Sequence, residues 1–383
     1  MEFKSSLHGD RVVWRLKKRL YGLADAPRGW YLRVEEELTG LGCEKSKLDP
    51  ALFLYRVKGT IRGMVAVWVD DFLLAGNVEF YRKVPTVLKK VFVLGESERR
   101  DFTYVGWQIQ QNKNGSIIVH QNNFLRSIEE MDKLPQNKYT KQEELDEELQ
   151  SKYRGAVGAI NWLATNTRPD VSFEVMALSC KFGKVTLQDF NRIARLQTKV
   201  KEQPLSLIYR RLGDPEQLTV VVYGDAAHAS LHDGVSSVRG KLVLLVGEDG
   251  KCSPLAWGSN KMTRVVRSPL AAETLAMADA VEEGFHCKTM IENIYGLIQG
   301  SINMAVITDS QSLQKAMNSC SVIKDRRCAI DLAALREGQD KGEFKVAWQA
   351  GADMLADSLT KPGPSKENLR TTINQGECGL IFK

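Results

Sequence analysis

Apolar side chains recur at Trp30, Val34, Leu38 and Leu41, the spacing of one buried helix face. Gly42 ends the run, so the pattern predicts a helix over residues 27–41. The period then shortens to that of strands. Residues 51–57 and 60–69 flank Lys58-Gly59 as a hairpin, and residues 72–75 add a strand beyond Asp70-Asp71. Residues 80–92 read as a helix disturbed by Pro85, which brings no amide donor. A second hairpin, 104–111 with 116–121, turns about residues 112–115 and leads into a short helix from Asn122.

The next stretch is different. Residues 132–150 lose apolar content and gain acid in Glu143-Glu144-Leu145-Asp146-Glu147-Glu148, which reads as a solvated linker or the exposed start of a helix. Helices fill 151–203. From Leu218 a new alternation begins, with strands at 218–224, 238–246, 253–258, 302–308 and 343–348 and helices at 269–297, 311–318 and 327–338. No internal repeat or low-complexity tract is present. The fold class expected is mixed, α+β passing into α/β.

Composition narrows the class without naming a function. At 383 residues the chain has material for two or three cores, and 43% hydrophobic with 26% charged residues is ordinary for a globular protein. No apolar run reaches the length of a membrane span, and Met1-Glu2-Phe3-Lys4 begins no signal peptide, so an intracellular chain, cytoplasmic or nuclear, is expected. Seven scattered cysteines without a C-x-x-C pair indicate neither a disulfide framework nor a structural zinc site. His228 and His232 stand four apart, but Asp233-Gly234 after them favours a loop over a helical metal pair. A formal charge of +6 permits a polyanionic partner.

Candidate chemistry begins at Asp70 and Asp71. Two adjacent carboxylates in an apolar, β-favouring run carry a desolvation cost unless cations sit there, and both reach one site only if the chain turns. A plain Asp-Asp turn is the alternative. Upstream, Leu20-Tyr21-Gly22-Leu23 and Ala26-Pro27-Arg28-Gly29-Trp30 resemble the LYGLxxAPRxW segment of reverse transcriptases of Ty1/copia-type retrotransposons. There an aromatic-Val-Asp-Asp follows, as Trp68-Val69-Asp70-Asp71 does here. Tyr153-Arg154-Gly155-Ala156-Val157-Gly158 and Thr167-Arg168-Pro169-Asp170-Val171 resemble the segment joining polymerase to ribonuclease H in these elements. The resemblance implies that Asp70 and Asp71 are polymerase metal ligands, and that Gly22, Pro27 and Arg28 lie near template and nucleotide. It also implies a third carboxylate in an upstream Asp-Val-x-x-Ala-Phe phrase that this sequence lacks. Asp10 is the nearest upstream acid.

Four further acids stand at the ends of predicted elements: Asp225 after an apolar strand, Glu273 early on a helix opened by Ser268-Pro269, Asp309 after another strand, and Asp357 in Leu355-Ala356-Asp357-Ser358-Leu359-Thr360-Lys361. Singly, each reads equally as a turn former, cap or exposed helical acid. Together and in this order they resemble the Asp, Glu, Asp, Asp set of a copia-type ribonuclease H, with Asp353 a competitor for the fourth place. Two-ion phosphodiester hydrolysis needs such a set, because hard divalent cations prefer carboxylate oxygen. The resemblance therefore implies Mg²⁺ (or Mn²⁺) at Asp225, Glu273, Asp309 and Asp357. Lys261, Arg264 and Arg267, just before the Glu273 helix, are either phosphate contacts or a solvated basic loop.

The expectation is a truncated reverse-transcriptase palm with a thumb-like part (1–131), a linker and helical connection (132–217), a ribonuclease H-like domain with a mixed central sheet (218–363) and a tail (364–383). The expected activity is metal-dependent cleavage of RNA in RNA–DNA hybrids, with template-primer nucleic acid as the other partner and an incomplete polymerase site. The alternatives are a non-catalytic nucleic-acid-binding remnant and a polymerase completed by another chain.

Overall fold

The computed structural model describes residues 4–8, 11–15, 20, 22–135, 143–319, 323–363 and 365–379. Asp10, residues 16–19 and Tyr21 lie outside them, as do linker residues 136–142. Two units form, Met1–Ser97 with Asn293–Gly296, and Glu98–Glu292 with Leu297–Lys383. The sequence boundaries near 131 and 217 fall inside the second.

The first unit contains β1 (Lys4–His8), β2 (Arg11–Arg15), α1 (Ala26–Gly40), β3 (Cys43–Lys45), β4 (Leu52–Val57), β5 (Thr60–Trp68), β6 (Asp71–Gly76) and α2 (Val78–Val91). β1 and β2 pair with each other, while β3–β4–β5–β6 form an antiparallel sheet in sequence order. Val34 and Leu38 of α1 and Phe80, Val84 and Leu88 of α2, at helical spacing, are buried with Phe53 and Val65 of the sheet. α2 runs through Pro85, with Asn77 capping its start by accepting from the Phe80 amide at 3.0 Å. The Phe80 ring packs onto backbone at Gly63, where a Cβ would lie 2.3 Å from ring atoms. Only glycine fits there.

The second unit opens with β7 (Asp101–Tyr104), β8 (Trp107–Gln111), β9 (Ile117–His120) and α3 (Asn122–Ser127). The strand expected over 104–111 is instead broken by a tight turn, because Val105 (φ 50°) and Gly106 (φ 79°) both take left-handed backbone and fold β7 back on β8. Helices α4 (Glu147–Asn166), α5 (Ser172–Ser179) and α6 (Leu187–Glu202) follow and bury Tyr153, Ile160, Leu163, Val175, Ile193 and Val200. Between α4 and α5 the buried Arg168 grips Asp170 with two hydrogen bonds, 2.8 and 2.9 Å, and Arg370 binds the same carboxylate. Burial alone would push Asp170 up, but Arg168, seconded by Arg370, holds it below the usual carboxylate range.

The chain then forms β10 (Leu207–Tyr209), which joins the first hairpin sheet in the order β10–β9–β8–β7. Next come β11 (Thr219–Ala227), β12 (Val238–Val246), β13 (Cys252–Lys261), α7 (Pro269–Tyr295), β14 (Asn303–Thr308), α8 (Gln311–Met317), α9 (Arg326–Asp340), β15 (Lys345–Trp348) and α10 (Ser365–Gln375). Their sheet has the order β13–β12–β11–β14–β15, antiparallel from β13 to β11 and parallel from β11 to β15. β11 is its middle strand. Val220 and Val222 pack toward α7, α8 and α9, while α5, α10 and the 3₁₀ turn Leu355–Leu359 contact this sheet or its β10 neighbour. A central strand covered on both sides reads as a continuous apolar run, as Thr219–Tyr223 does. α10, in a stretch where the sequence reading assigned only a tail, buries Leu369 and Ile373 completely.

Candidate metal centre

Parallel pairing of β11 with β14 ends at Tyr223 and Ile307, so beyond that register the two strands open a crevice at their carboxyl ends. Asp225 lies there on β11, and Asp309 directly follows β14. Glu273 enters from the first turns of α7, whose start is fixed by Ser268 accepting from the Ala271 amide at 3.2 Å. Carboxylate oxygens of Asp225, Glu273 and Asp309 all lie within 4.8 Å of one another.

The single-residue alternatives do not describe these groups. Ser310, not Asp309, caps α8 by accepting from the Leu313 amide at 3.3 Å. Asp357 is buried in the 3₁₀ turn rather than exposed, whereas Asp353 is exposed. Asp357 stays outside the three-acid group, yet its charge acts on Asp225, Glu273 and Asp309. It pairs with Lys361 at 2.9 Å. The Thr360 hydroxyl donates to Asp225 Oδ2, and the Trp348 indole donates to the Asp309 carbonyl at 3.0 Å.

Crowded carboxylates without a cation resist ionisation. Burial first, then the charges of Asp225 and Asp309, push Glu273 up to about 9, and burial likewise raises Asp225, Asp309 and Asp357. Glu273 Oε2 is buried with no hydrogen-bond partner among the described residues. Three grouped carboxylates, one of them with an orphaned buried oxygen, are a donor set suited to a hard divalent ion.

The basic residues divide. Lys261 is 3.4 Å from Asp233, which also ties its own turn by accepting from Val235 and Ser236. Arg264 pairs with Asp331. Arg264 and Arg267 line a pocket of about 590 Å³ together with Lys324, Arg326 and Arg327. The last three were not singled out by sequence reasoning, although the Arg326-Arg327 pair at a helix start was a usable signal. Thr360 and Lys361 were also missed as participants, despite lying in the quoted phrase around Asp357.

In the first unit Asp70 and Asp71 occupy the β5–β6 hairpin tip, both exposed, with Val69 in left-handed backbone (φ 49°). Exposure removes the burial cost anticipated from the apolar flanks, because only the strands, not the tip, are packed. Among the described residues no third acid joins them in a metal-sized group. Gly22 (φ 94°), Pro27 and Arg28 are exposed at the entry to α1, and Trp30 of that helix packs on Phe72, next to Asp71, with ring centroids 5.9 Å apart.

An antiparallel hairpin sheet in the first unit is thus followed along the chain by a five-stranded mixed sheet whose central crevice carries acids. Residues 5–143 match the reverse transcriptase (RNA-dependent DNA polymerase) family. The similarity to Ty1/copia-type Pol polyproteins runs along most of the chain. It is 28% identical over 368 residues to the retrovirus-related Pol polyprotein from transposon RE2 of Arabidopsis thaliana, covering 91% of this chain and 24% of that one. The corresponding protein from transposon RE1 of the same plant is 26% identical over 362 residues, with the same coverage. The chain thus spans about a quarter of the length of these relatives. Among solved structures, RNase H1 from Halobacterium salinarum NRC-1 is 20% identical, with 37% of this chain and 94% of that chain covered and a TM-score of 0.26. Prototype foamy virus protease-reverse transcriptase is 12% identical over 97% of this chain and 64% of that one, also with a TM-score of 0.26.

Proposed function

We propose that the second unit is a ribonuclease H-type endonuclease that cuts the RNA strand of RNA–DNA hybrids with Mg²⁺ or Mn²⁺. The observation that carries this reading is the convergence of Asp225, Glu273 and Asp309, from three elements far apart in sequence, around one partly buried point. These three, with Asp357, would hold the metal. Divalent ions bound there supply a polarised water and stabilise the leaving oxygen of a phosphodiester.

The chain's own groups do the rest. Thr360 fixes one oxygen of Asp225, Trp348 anchors the backbone of Asp309, and Glu273 keeps one buried oxygen without a partner among the described residues. Arg264, Arg267, Lys324, Arg326 and Arg327 offer phosphate contacts beside the opening of α7. A hybrid held through phosphates, 2′-hydroxyls and shape is cut with little sequence preference.

For the first unit we propose template-primer contact through Gly22, Pro27 and Arg28, with Asp70 and Asp71 as two of the carboxylates of a polymerase site. We do not propose DNA synthesis by these 383 residues alone. The test incubates purified protein and Mg²⁺ with a hybrid labelled on its RNA strand. Cleavage is expected, and Asp225→Asn should stop it. Cleavage that survives Asp225→Asn would rule out the site, whereas hybrid binding without cleavage would favour a non-catalytic remnant.

A further inference from the structure

Two cysteines far apart in the sequence meet at the start of β13. The segment after α10 runs beside it: Lys251 and Glu377 form an antiparallel bridge, the Cys252 amide donates to the Gly376 carbonyl at 2.9 Å, and the Cys378 amide donates to the Gly250 carbonyl at 3.1 Å. Each cysteine thus stands opposite a glycine. No side chain of those partners comes between the two thiols, which are in hydrogen-bond contact with each other. Cys252 is buried and Cys378 half-buried, its thiol also donating to the Gly250 carbonyl at 3.6 Å. Contact with Cys378 first, then burial, hold the Cys252 thiol far above its ordinary value, while Arg210, whose guanidinium donates to the Gln375 carbonyl at 2.7 Å, pulls the other way. Other cysteines have different neighbours: Cys180 touches Met176, and Cys328 touches Thr274.

We propose that Cys252 and Cys378 are a dithiol that closes reversibly to a disulfide by exchange with a small-molecule disulfide, tying the segment after α10 to the first residue of β13. Cys378, the more exposed of the two, reacts first. Its thiol gives up a proton to water, and the thiolate attacks one sulfur of oxidised glutathione, whose S–S bond breaks to release one glutathione thiolate. The Cys252 thiol then loses its proton and attacks the Cys378 sulfur, expelling the second glutathione. The protein gives up two electrons and two protons, and the small disulfide becomes two thiols. Bridging these positions closes a long loop that holds α7, β14, α8, α9, β15 and α10, so it restricts the unfolded chain far more than the folded one. The bond would reinforce a junction that already exists in the reduced protein. Cys252 pairs with Val246, which pairs with Thr219 at the start of β11, the opposite end of that strand from Asp225. Closure is therefore independent of the metal-dependent activity proposed above.

The test uses the full chain, reduced with dithiothreitol, desalted and then incubated with oxidised glutathione. Thiols left free are capped with iodoacetamide in urea, and a tryptic digest is mapped by mass spectrometry without reduction. Peptides 252–261 and 371–383 should appear joined. The oxidised protein should melt at least about 5 °C above the reduced one in differential scanning fluorimetry, and dithiothreitol should reverse both changes. Cys378→Ser and Cys252→Ala should each abolish the joined peptides and the oxidation-dependent rise. Should Cys252→Ala fail to fold, Cys378→Ser at the half-buried position carries the comparison, with its reduced form melting within about 2 °C of the reduced wild type. Glutathione retained on Cys378 with Cys252 still capped by iodoacetamide would overturn the proposal. So would joined peptides without a rise in melting temperature, or a rise that survives in Cys378→Ser.

Discussion

Glu273 is held protonated in the metal-free protein well past neutrality, by burial first and by Asp225 and Asp309 second. The unfolded chain releases this proton near 4.5, the folded chain at about 9. Between those values the folded state binds the extra proton, so its contribution to stability is largest at low pH and is lost as pH rises. Without divalent ions the melting temperature should fall from about pH 5 to about pH 9, and Glu273→Gln should flatten that fall. Mg²⁺ should raise the wild-type melting temperature more at the alkaline end, a comparison that differential scanning fluorimetry makes directly. The same substitution should reduce hybrid cleavage by about 10³-fold or more, measured as kcat under saturating Mg²⁺. The places of Asp225, Asp309 and Glu273 at the ends of elements were legible in the sequence, but singly each read equally as a turn former or cap, and only the resemblance to a copia-type ribonuclease H grouped them. Lys361 was not: a lysine after a threonine looks like any solvated end, and only the fold turns it toward carboxylates.

Close backbone approach decides how the elements pack. At Gly284 of α7 an added Cβ would lie 2.5 Å from Val222 of the central strand, so Gly284→Val should cost about 1–3 kcal/mol by pushing the helix off the sheet. Urea unfolding should show this as a lower midpoint with an unchanged slope. Between α4 and α5, Asp170→Asn removes the anion that neutralises the buried Arg168 and should cost about 3–5 kcal/mol, read in the same assay. Elements with strong periodicity, such as α1, β4–β5 and α7, were legible from spacing alone. The β7–β8 turn was not, since Val105 carries none of the usual turn chemistry while sitting in left-handed backbone. Nor was α10, whose buried Leu369 and Ile373 are too few in a polar stretch to signal a helix. Tertiary contact supplies what the local pattern lacks in both.

At the scale of the chain, the two units carry separate cores. Gly63→Val, which drives a side chain into the Phe80 ring, should lower a calorimetric transition that Mg²⁺ does not move. The transition that Mg²⁺ raises should respond to Asp170→Asn instead. A single transition shifted by both substitutions would show that the units unfold together. The alternation of strands and helices was foreseen from the residues and a mixed sheet was implied by the resemblance, but the strand order could not be, because pairing of β11 with β14 is a long-range choice. That choice has a kinetic consequence. β11, β12 and β13 can zip together as neighbouring antiparallel strands while the chain is still emerging from the ribosome. β14 must wait until all of α7 has been synthesised, and only its arrival beside β11 brings Asp309 to Asp225 and Glu273. On the metal-dependent function proposed above, ion capture is then expected late in the maturation of this unit, and a refolding experiment that follows it should time the docking of the last partner rather than the collapse of the first.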